Sequence, residues 1–208
     1  NTLSERFSQI ITHNPSHKIN RNELDKYLVG DAIHGEFVNF VHADVEAHKP
    51  IPGSLERFVE GFVVGGNDQA YTANRGTAPI RDYLASKLSA FYGTAIDPET
   101  ELIITPGTQG ALFCAMGSLV DRGDKVAFVE PDYHEYRPMV SYFGCEAVPI
   151  PLHWKEVKRY AGIDLELLEK AFQGGVKLFV YSNPNNPTGV IYSPEEVAAI
   201  GRLAKQYN

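Results

Sequence analysis

From residue 101 onward, short continuous apolar runs alternate with stretches of helical period. Leu102-Ile103-Ile104, Val126-Ala127-Phe128-Val129, Ala147-Val148-Pro149-Ile150 and Leu178-Phe179-Val180-Tyr181 read as four extended segments. Residues 107–120, 136–143, 165–172 and 194–207 place apolar side chains at helical spacing. Strands that are apolar throughout, rather than alternating, are covered on both faces, and intervening helices make them run parallel. The expected architecture is therefore α/β, a mostly parallel sheet with helices on both faces. Further upstream, Pro50-Ile51-Pro52-Gly53 stops the preceding segment, and Ser54 is expected to cap a helix through Val64, ended by Gly65-Gly66. Thr77-Ala78-Pro79 starts another helix that continues through Phe91. Short amphipathic helices are expected around residues 4–11 and 22–28.

The 208 residues are 43% hydrophobic and 22% charged, as in soluble globular proteins. A net charge of −7 without any Lys/Arg run argues against nucleic acid or an anionic membrane as partner. No apolar run approaches the roughly 18 residues of a membrane span. Cys114 and Cys145 lack metal-ligand spacing, so no metal site is expected; both read as buried free thiols of a reducing compartment, hence a cytoplasmic protein.

The most specific segment is Tyr181-Ser182-Asn183-Pro184-Asn185-Asn186-Pro187-Thr188-Gly189, directly after the apolar run Val176–Val180. Each proline removes a backbone donor and pushes its predecessor out of the helical region. Asparagine side chains still close hydrogen bonds within such a loop, and the two Asn-Pro bonds are candidates for cis peptides. Rigid, polar, donor-poor backbone at the carboxyl end of a strand suits a ligand site, because open α/β sheets bind ligands there. An ordinary Pro/Asn turn is the alternative.

Further features precede it in a fixed order. Tyr71 stands five residues before Gly76, and Ile80-Arg81 opens a helix. Thr105-Pro106-Gly107-Thr108-Gln109 forms a strand-to-helix turn, and Gly123-Asp124-Lys125-Val126 leads into Pro131-Asp132-Tyr133. A helix N-terminus such as that at Gly107-Thr108-Gln109 presents free N–H groups and the positive dipole end to anions. A plain Gly turn before a core helix has the same local pattern.

Taken together, over roughly residues 50–208, these features resemble the class I/II aminotransferases of the fold type I pyridoxal-phosphate superfamily. The resemblance implies that Gly107, Thr108 and Gln109 cradle the phosphate of pyridoxal 5'-phosphate. It implies that the Tyr133 ring stacks on the pyridine ring, and that Asn186 donates to the ring oxygen and helps receive the substrate carboxylate. Tyr71 would reach the phosphate of a neighbouring subunit, making the protein a homodimer; a surface ring at a turn is its alternative. Arg81 is expected to be structural. Residues 1–52 would form an N-terminal arm and part of a small domain, and residues 53–208 the N-terminal half of the large cofactor-binding domain.

Two departures qualify the match. The family's Gly-x-Pro loop near the substrate reads His42-Ala43-Asp44-Val45 here, so Ala43 stands at the glycine position and narrows the pocket or changes the backbone path. The family's Schiff-base lysine, the aspartate for its ring nitrogen and the arginines for substrate carboxylates have no match up to Asn208. Ser86-Lys87 lies inside a helix upstream of the sheet, and Lys87 reads as an exposed helical lysine. The expected activity is thus that of an aminotransferase acting on an amino acid and a 2-oxo acid, seen through its N-terminal half, without a catalytic residue of its own. Two alternatives remain at this point: a lyase or decarboxylase of the same fold, and the aminotransferase-like ligand-sensing domain of a MocR-type transcription regulator.

Overall fold

The computed structural model describes residues 49–63, 71–154 and 161–207. Ala43, His42, Asp44, the two helices expected before residue 48 and the Gly65-Gly66 stop lie outside them. The described residues fall into two compact units, one up to Pro106 and one from Gly107 onward.

The first unit contains helix α1 (Ser54–Val63) and helix α2 (Ala78–Tyr92). Ser54 is the first residue of α1 rather than its cap: the Gly53 carbonyl accepts from the Arg57 N–H at 3.1 Å. In α2 Thr77 precedes the first turn, Pro79 lies within it, and Gly93 ends the helix in the left-handed region. Arg81 is buried and structural. Its guanidinium donates to the Pro98 carbonyl at 3.0 Å and also to the Gly76 carbonyl and the Glu99 carboxylate. Gly76 sits at φ 89°, and a Cβ there would lie 2.9 Å from the Cβ of Ile104, so conformation and space both require glycine. Lys87 is exposed, with its ammonium 5.4 Å from the Tyr83 ring.

The expected strand at Leu102-Ile103-Ile104 is not formed. A strand is defined by its ladder, and among the described residues this triplet has one backbone bond, from the Ile104 N–H to the Arg75 carbonyl at 3.0 Å. Ile103 is left 60% exposed.

In the second unit the elements follow the expected rhythm: α3 (Gly107–Leu119), β1 (Lys125–Glu130), α4 (Tyr136–Phe143) and β2 (Glu146–Trp154). Then come β3 (Ala161–Ile163), α5 (Leu165–Gln173), β4 (Val176–Val180) and α6 (Pro194–Gln206). The sheet order is β3-β2-β1-β4. β1 is parallel to both neighbours, with Val129 opposite Ile150 and Phe128 opposite Val180. β3 was not expected from the sequence: three residues are too few for a periodicity signal. It pairs antiparallel to β2, Leu152 opposite Ile163, so the sheet is mixed rather than wholly parallel.

β1 shows why continuous apolar strands mean two covered faces. Val126 and Phe128 pack with Met116, Val120, Tyr136 and Val140 of the α3/α4 side. Ala127 and Val129 pack with Leu168, Tyr192 and Ile200 of the α5/α6 side. Successive side chains point to opposite faces, so one apolar run feeds two cores. α6 begins with a capping box: Ser193 Oγ accepts from the Glu196 N–H, and the Glu196 carboxylate accepts from the Ser193 N–H. Asp164 caps α5 through its own carboxylate, which accepts from the Leu167 N–H. That carboxyl is held below the usual range, first by the Leu167 N–H and then by His153.

The cysteines depart from expectation. Both are free, but Cys114 is exposed on α3 and Cys145 only half-buried. α3 turns Met116 to the core and leaves most of its remaining surface, Phe113 and Leu119 included, exposed. Burial and the Asp124 and Asp121 carboxylates push the Cys145 thiol up. Among the described residues no helix is long and apolar enough to cross a membrane.

Candidate functional site

The strand order creates one particular crevice. From β1 the chain moves outward to β2 and β3, then returns across β1 to place β4 on its other side. The direction of winding reverses between β1 and β4, and loops leaving their carboxyl ends must part there. Those loops are residues 131–135 and 181–193, the second of which carries the Asn/Pro-rich segment.

Local chemistry shapes both. Glu130-Pro131, Asn183-Pro184 and Asn186-Pro187 are cis, in agreement with the expectation for the two Asn-Pro bonds. The tip of the longer loop closes on itself: the Asn185 N–H donates to the Val190 carbonyl at 2.7 Å and the Gly189 N–H to the Asn185 carbonyl at 2.8 Å. Asn185 is buried, and its amide is fully used. Nδ2 donates to the Pro131 carbonyl (3.2 Å) and the Tyr192 hydroxyl (3.3 Å), while Oδ1 accepts from the Thr188 N–H and hydroxyl. Its neighbour Asn186 is exposed, and among the described residues its amide faces no such partners. Of two adjacent asparagines, one therefore holds the loop and the other is available to a ligand.

A second connection joins the loops through Asp132. Its carboxylate accepts from the Tyr133 N–H at 2.6 Å, the Ser182 N–H at 3.0 Å and the Ser182 hydroxyl. The Ser182 hydroxyl in turn receives a long bond, 3.4 Å, from the Asn186 N–H. On the other side, Gln109 Nε2 donates to the Tyr133 hydroxyl at 3.1 Å, which brings the start of α3 to the same place. Gly107 has φ 78°, so the chain enters α3 through a turn that other residues rarely adopt. Thr108 and Gln109 are exposed in the first turn, where N–H groups have no helical acceptor. The Tyr133 ring is half-buried, edge-on to His134 and Tyr136 at 5.0 and 5.7 Å.

Gly107, Thr108, Gln109, Tyr133 and Asn186 are thus brought to one end of the sheet. Tyr71 belongs to the other unit and is fully exposed there. Ala43 is outside the described residues. Sequence reasoning passed over Asp132, Ser182, Asn185 and Tyr192. Asp132 and Ser182 stand 50 residues apart, and no local pattern marks two such polar residues as partners.

Tyr192 gives the site a pH signature. Burial pushes its phenol up to about 12, the Asp132 and Glu196 charges adding to the effect and the Asn185 amide opposing it. The folded state favours the neutral phenol. Its stabilising contribution is therefore complete below the ordinary pKa of 10 and is lost as pH climbs from there toward 12. The expected loss is roughly 2 kcal/mol across that window. Urea unfolding at pH 9 and pH 11.5 checks it: Tyr192→Phe should flatten the decline, and an equally steep decline in that variant would contradict the assignment.

Parallel strands flanked by helices, with the loops after β1 and β4 and the start of α3 joined at one end of the sheet, define an α/β protein of the open-sheet class. This chain belongs to the aminotransferases of class I and II, whose family pattern matches residues 42–208. Among its relatives, the probable N-succinyldiaminopimelate aminotransferase DapC of Mycobacterium tuberculosis is 32% identical over 76% of this chain and 39% of its own length. The aspartate aminotransferase of Sulfolobus acidocaldarius is 34% identical over 69% of this chain and 35% of its own. The crystal structure of an aspartate aminotransferase from Rhodobacter sphaeroides superposes with a TM-score of 0.78 at 47% identity, covering 90% of this chain and 50% of that one. The chain spans half or less of the length of these relatives, and its α/β fold is the corresponding part of theirs.

Proposed function

We propose that the carboxyl-end crevice of β1 and β4 binds pyridoxal 5'-phosphate and that the protein is an aminotransferase exchanging an amino group between an amino acid and a 2-oxo acid. The observation carrying this reading is the pair of bonds, Gln109 to Tyr133 and Ser182 to Asp132, that draws three separate turns to one point. The donor set matches the cofactor's chemistry. A phosphate needs several N–H groups and a hydroxyl, which the first turn of α3 and Thr108 offer. A flat heteroaromatic ring needs an arene, and the half-buried Tyr133 ring beside the start of α3 supports that role. A ring oxygen whose protonation changes needs a donor that does not itself titrate, and the Asn186 amide is one.

When bound, pyridoxal 5'-phosphate supplies the ring that accepts electron density from the substrate's α-carbon. The residues here bind and orient. Gly107, Thr108 and Gln109 hold the phosphate, Tyr133 covers one ring face and excludes water from it, and Asn186 donates at the ring oxygen and to the substrate carboxylate. Ala43 keeps its sequence-based place beside the substrate. Residues 53–208 belong to the large cofactor-binding domain and residues 1–52 to the arm and small domain. Tyr71 serves the neighbouring site of a homodimer, a reading supported by its full exposure and by the bare apolar side chains of α1, Leu55, Phe58 and Phe62 among them. The two free thiols support a cytoplasmic location.

Titration of the purified protein with pyridoxal 5'-phosphate, followed by induced circular dichroism of the coenzyme band, tests the reading. Tyr133→Ala should bind about tenfold more weakly, about 1.4 kcal/mol, from lost stacking and burial. Tyr133→Phe should stay within about threefold. Equal binding by native protein and Tyr133→Ala would remove Tyr133 from the site.

A further inference from the structure

Among the described residues, the Asp132 carboxylate is the one acidic side chain that ties the loop after β1 to the entrance of the loop after β4. It takes three donors: the Tyr133 N–H and Ser182 hydroxyl on Oδ1, and the Ser182 N–H on Oδ2. The other tie, from the Asn185 amide to the Pro131 carbonyl, ends on a backbone group that any residue supplies. Of these two ties, only that of Asp132 has a side chain at its receiving end. It is also central: Tyr133, its sequence neighbour, bonds Gln109, and Ser182, its partner, accepts from the Asn186 N–H.

We propose that Asp132 is a positioning residue of the cofactor site, acting through Ser182 to set Asn186 against the ring that Tyr133 covers. This rests on the cofactor reading above. The demand for a carboxylate follows from the donor count. An ionised carboxyl has two oxygens that only accept, and its bonds to N–H and O–H groups are charge-assisted. An asparagine in the same place would have to turn its NH2 toward the Tyr133 N–H or the Ser182 N–H, donor against donor. The isosteric amide is therefore no substitute. The Ser182 hydroxyl works as a relay: it donates to Asp132, accepts from the Asn186 N–H and also bonds the buried Tyr136 hydroxyl. Removing it therefore parts Asn186 from Asp132 while leaving the Ser182 N–H bond in place, and Ser182→Thr keeps all three partners.

Two measurements on the purified protein test this: amide hydrogen exchange of the 182–189 segment, and pyridoxal 5'-phosphate affinity by induced circular dichroism. Asp132→Ala and Asp132→Asn should both speed exchange of that segment about tenfold and weaken coenzyme binding about tenfold, with β1 protection unchanged. Ser182→Ala should reproduce the binding loss, and Ser182→Thr, which keeps the hydroxyl, should restore most of it. Native affinity in either Asp132 variant overturns the proposal. So does faster exchange at native affinity, which would mean a purely structural tie, and so does a Ser182→Thr as weak as Ser182→Ala. Should Asp132→Ala unfold, as lost β1 protection would show, the serine pair decides alone. A native protein that binds no coenzyme overturns the cofactor reading and this proposal with it, and that failure appears before any substitution is made.

Discussion

Leu168→Ala is expected to lower the unfolding free energy by about 3–5 kcal/mol. Leu168 is fully buried in α5, where it packs into the cluster of Val129, Ile150, Ile163 and Ile200, with Phe172 and Val176 at the margin. Truncation removes three carbons' worth of transfer free energy and leaves a cavity walled by three strands and a second helix. Those walls are held by sheet hydrogen bonds, so they cannot collapse inward to fill it. Urea unfolding should show a lower midpoint at unchanged slope, because the area exposed on unfolding barely changes. A loss below about 1 kcal/mol would mean that α5 is not seated on the sheet as described. The coenzyme affinity of the folded fraction should change little, since Leu168 lies within the core and the binding loops project from the strand ends.

Asn185→Ala is expected to combine a stability loss of about 3 kcal/mol with a change at the site. The substitution deletes an amide that satisfies the Pro131 carbonyl, the Tyr192 hydroxyl and both polar groups of Thr188. Leaving buried partners unpaired costs more than the net worth of the bonds, about 1–3 kcal/mol per group that water cannot reach. Tyr192 is such a group, being 3% exposed, whereas Thr188 is only half-buried and regains water. The total is therefore well below a simple sum over four bonds. The substituted loop also loses its tie to Pro131, and Asn186 moves with it. Asn185→Ala should thus resemble Leu168→Ala in urea but differ from it in coenzyme binding, which should fall at least tenfold. Asn186→Ala should show the reverse, weaker binding with nearly native stability. If Asn185→Ala bound coenzyme normally and Asn186→Ala did not differ from native protein, the assignment of the two asparagines would be wrong.

The same pair shows how far the amino-acid sequence reaches. Two adjacent asparagines in one loop are chemically identical on paper. The loop itself was legible, because proline restricts its own φ and its neighbour's wherever it occurs. Which asparagine is buried depends on where the Pro131 carbonyl and Tyr192 hydroxyl arrive, and these come from a different loop and from the lead-in to α6. Asp132 is a similar case, an ordinary loop aspartate until Ser182 is brought beside it from 50 residues away.

The elements were legible to different degrees for the same reason. α4 matches its expected limits, and α3, α5, β1 and α6 differ by a residue or two at their ends, since period, Pro, Gly and capping groups act within a few positions. Leu102-Ile103-Ile104 is as apolar as a strand yet remains unpaired among the described residues, because a strand exists only with a partner. β3 forms from three residues with no strand signal of their own because Leu152, His153 and Trp154 of β2 lie opposite to receive them. Cys114 is exposed where an apolar context suggested burial, since α3 turns Met116 and not Cys114 to the core.

What the chain's own order of residues determined was the alternation of strands and helices, the rigid loop after β4 and the turn into α3: each follows from short-range sterics and hydrophobic period. What the tertiary structure alone decided was the strand order that opens a crevice between β1 and β4, the antiparallel edge, and the meeting of Gln109 with Tyr133 and of Asp132 with Ser182. Hydrogen bonds and packing between segments far apart in sequence depend on where the sheet carries each loop, and that position is a property of the whole assembled core.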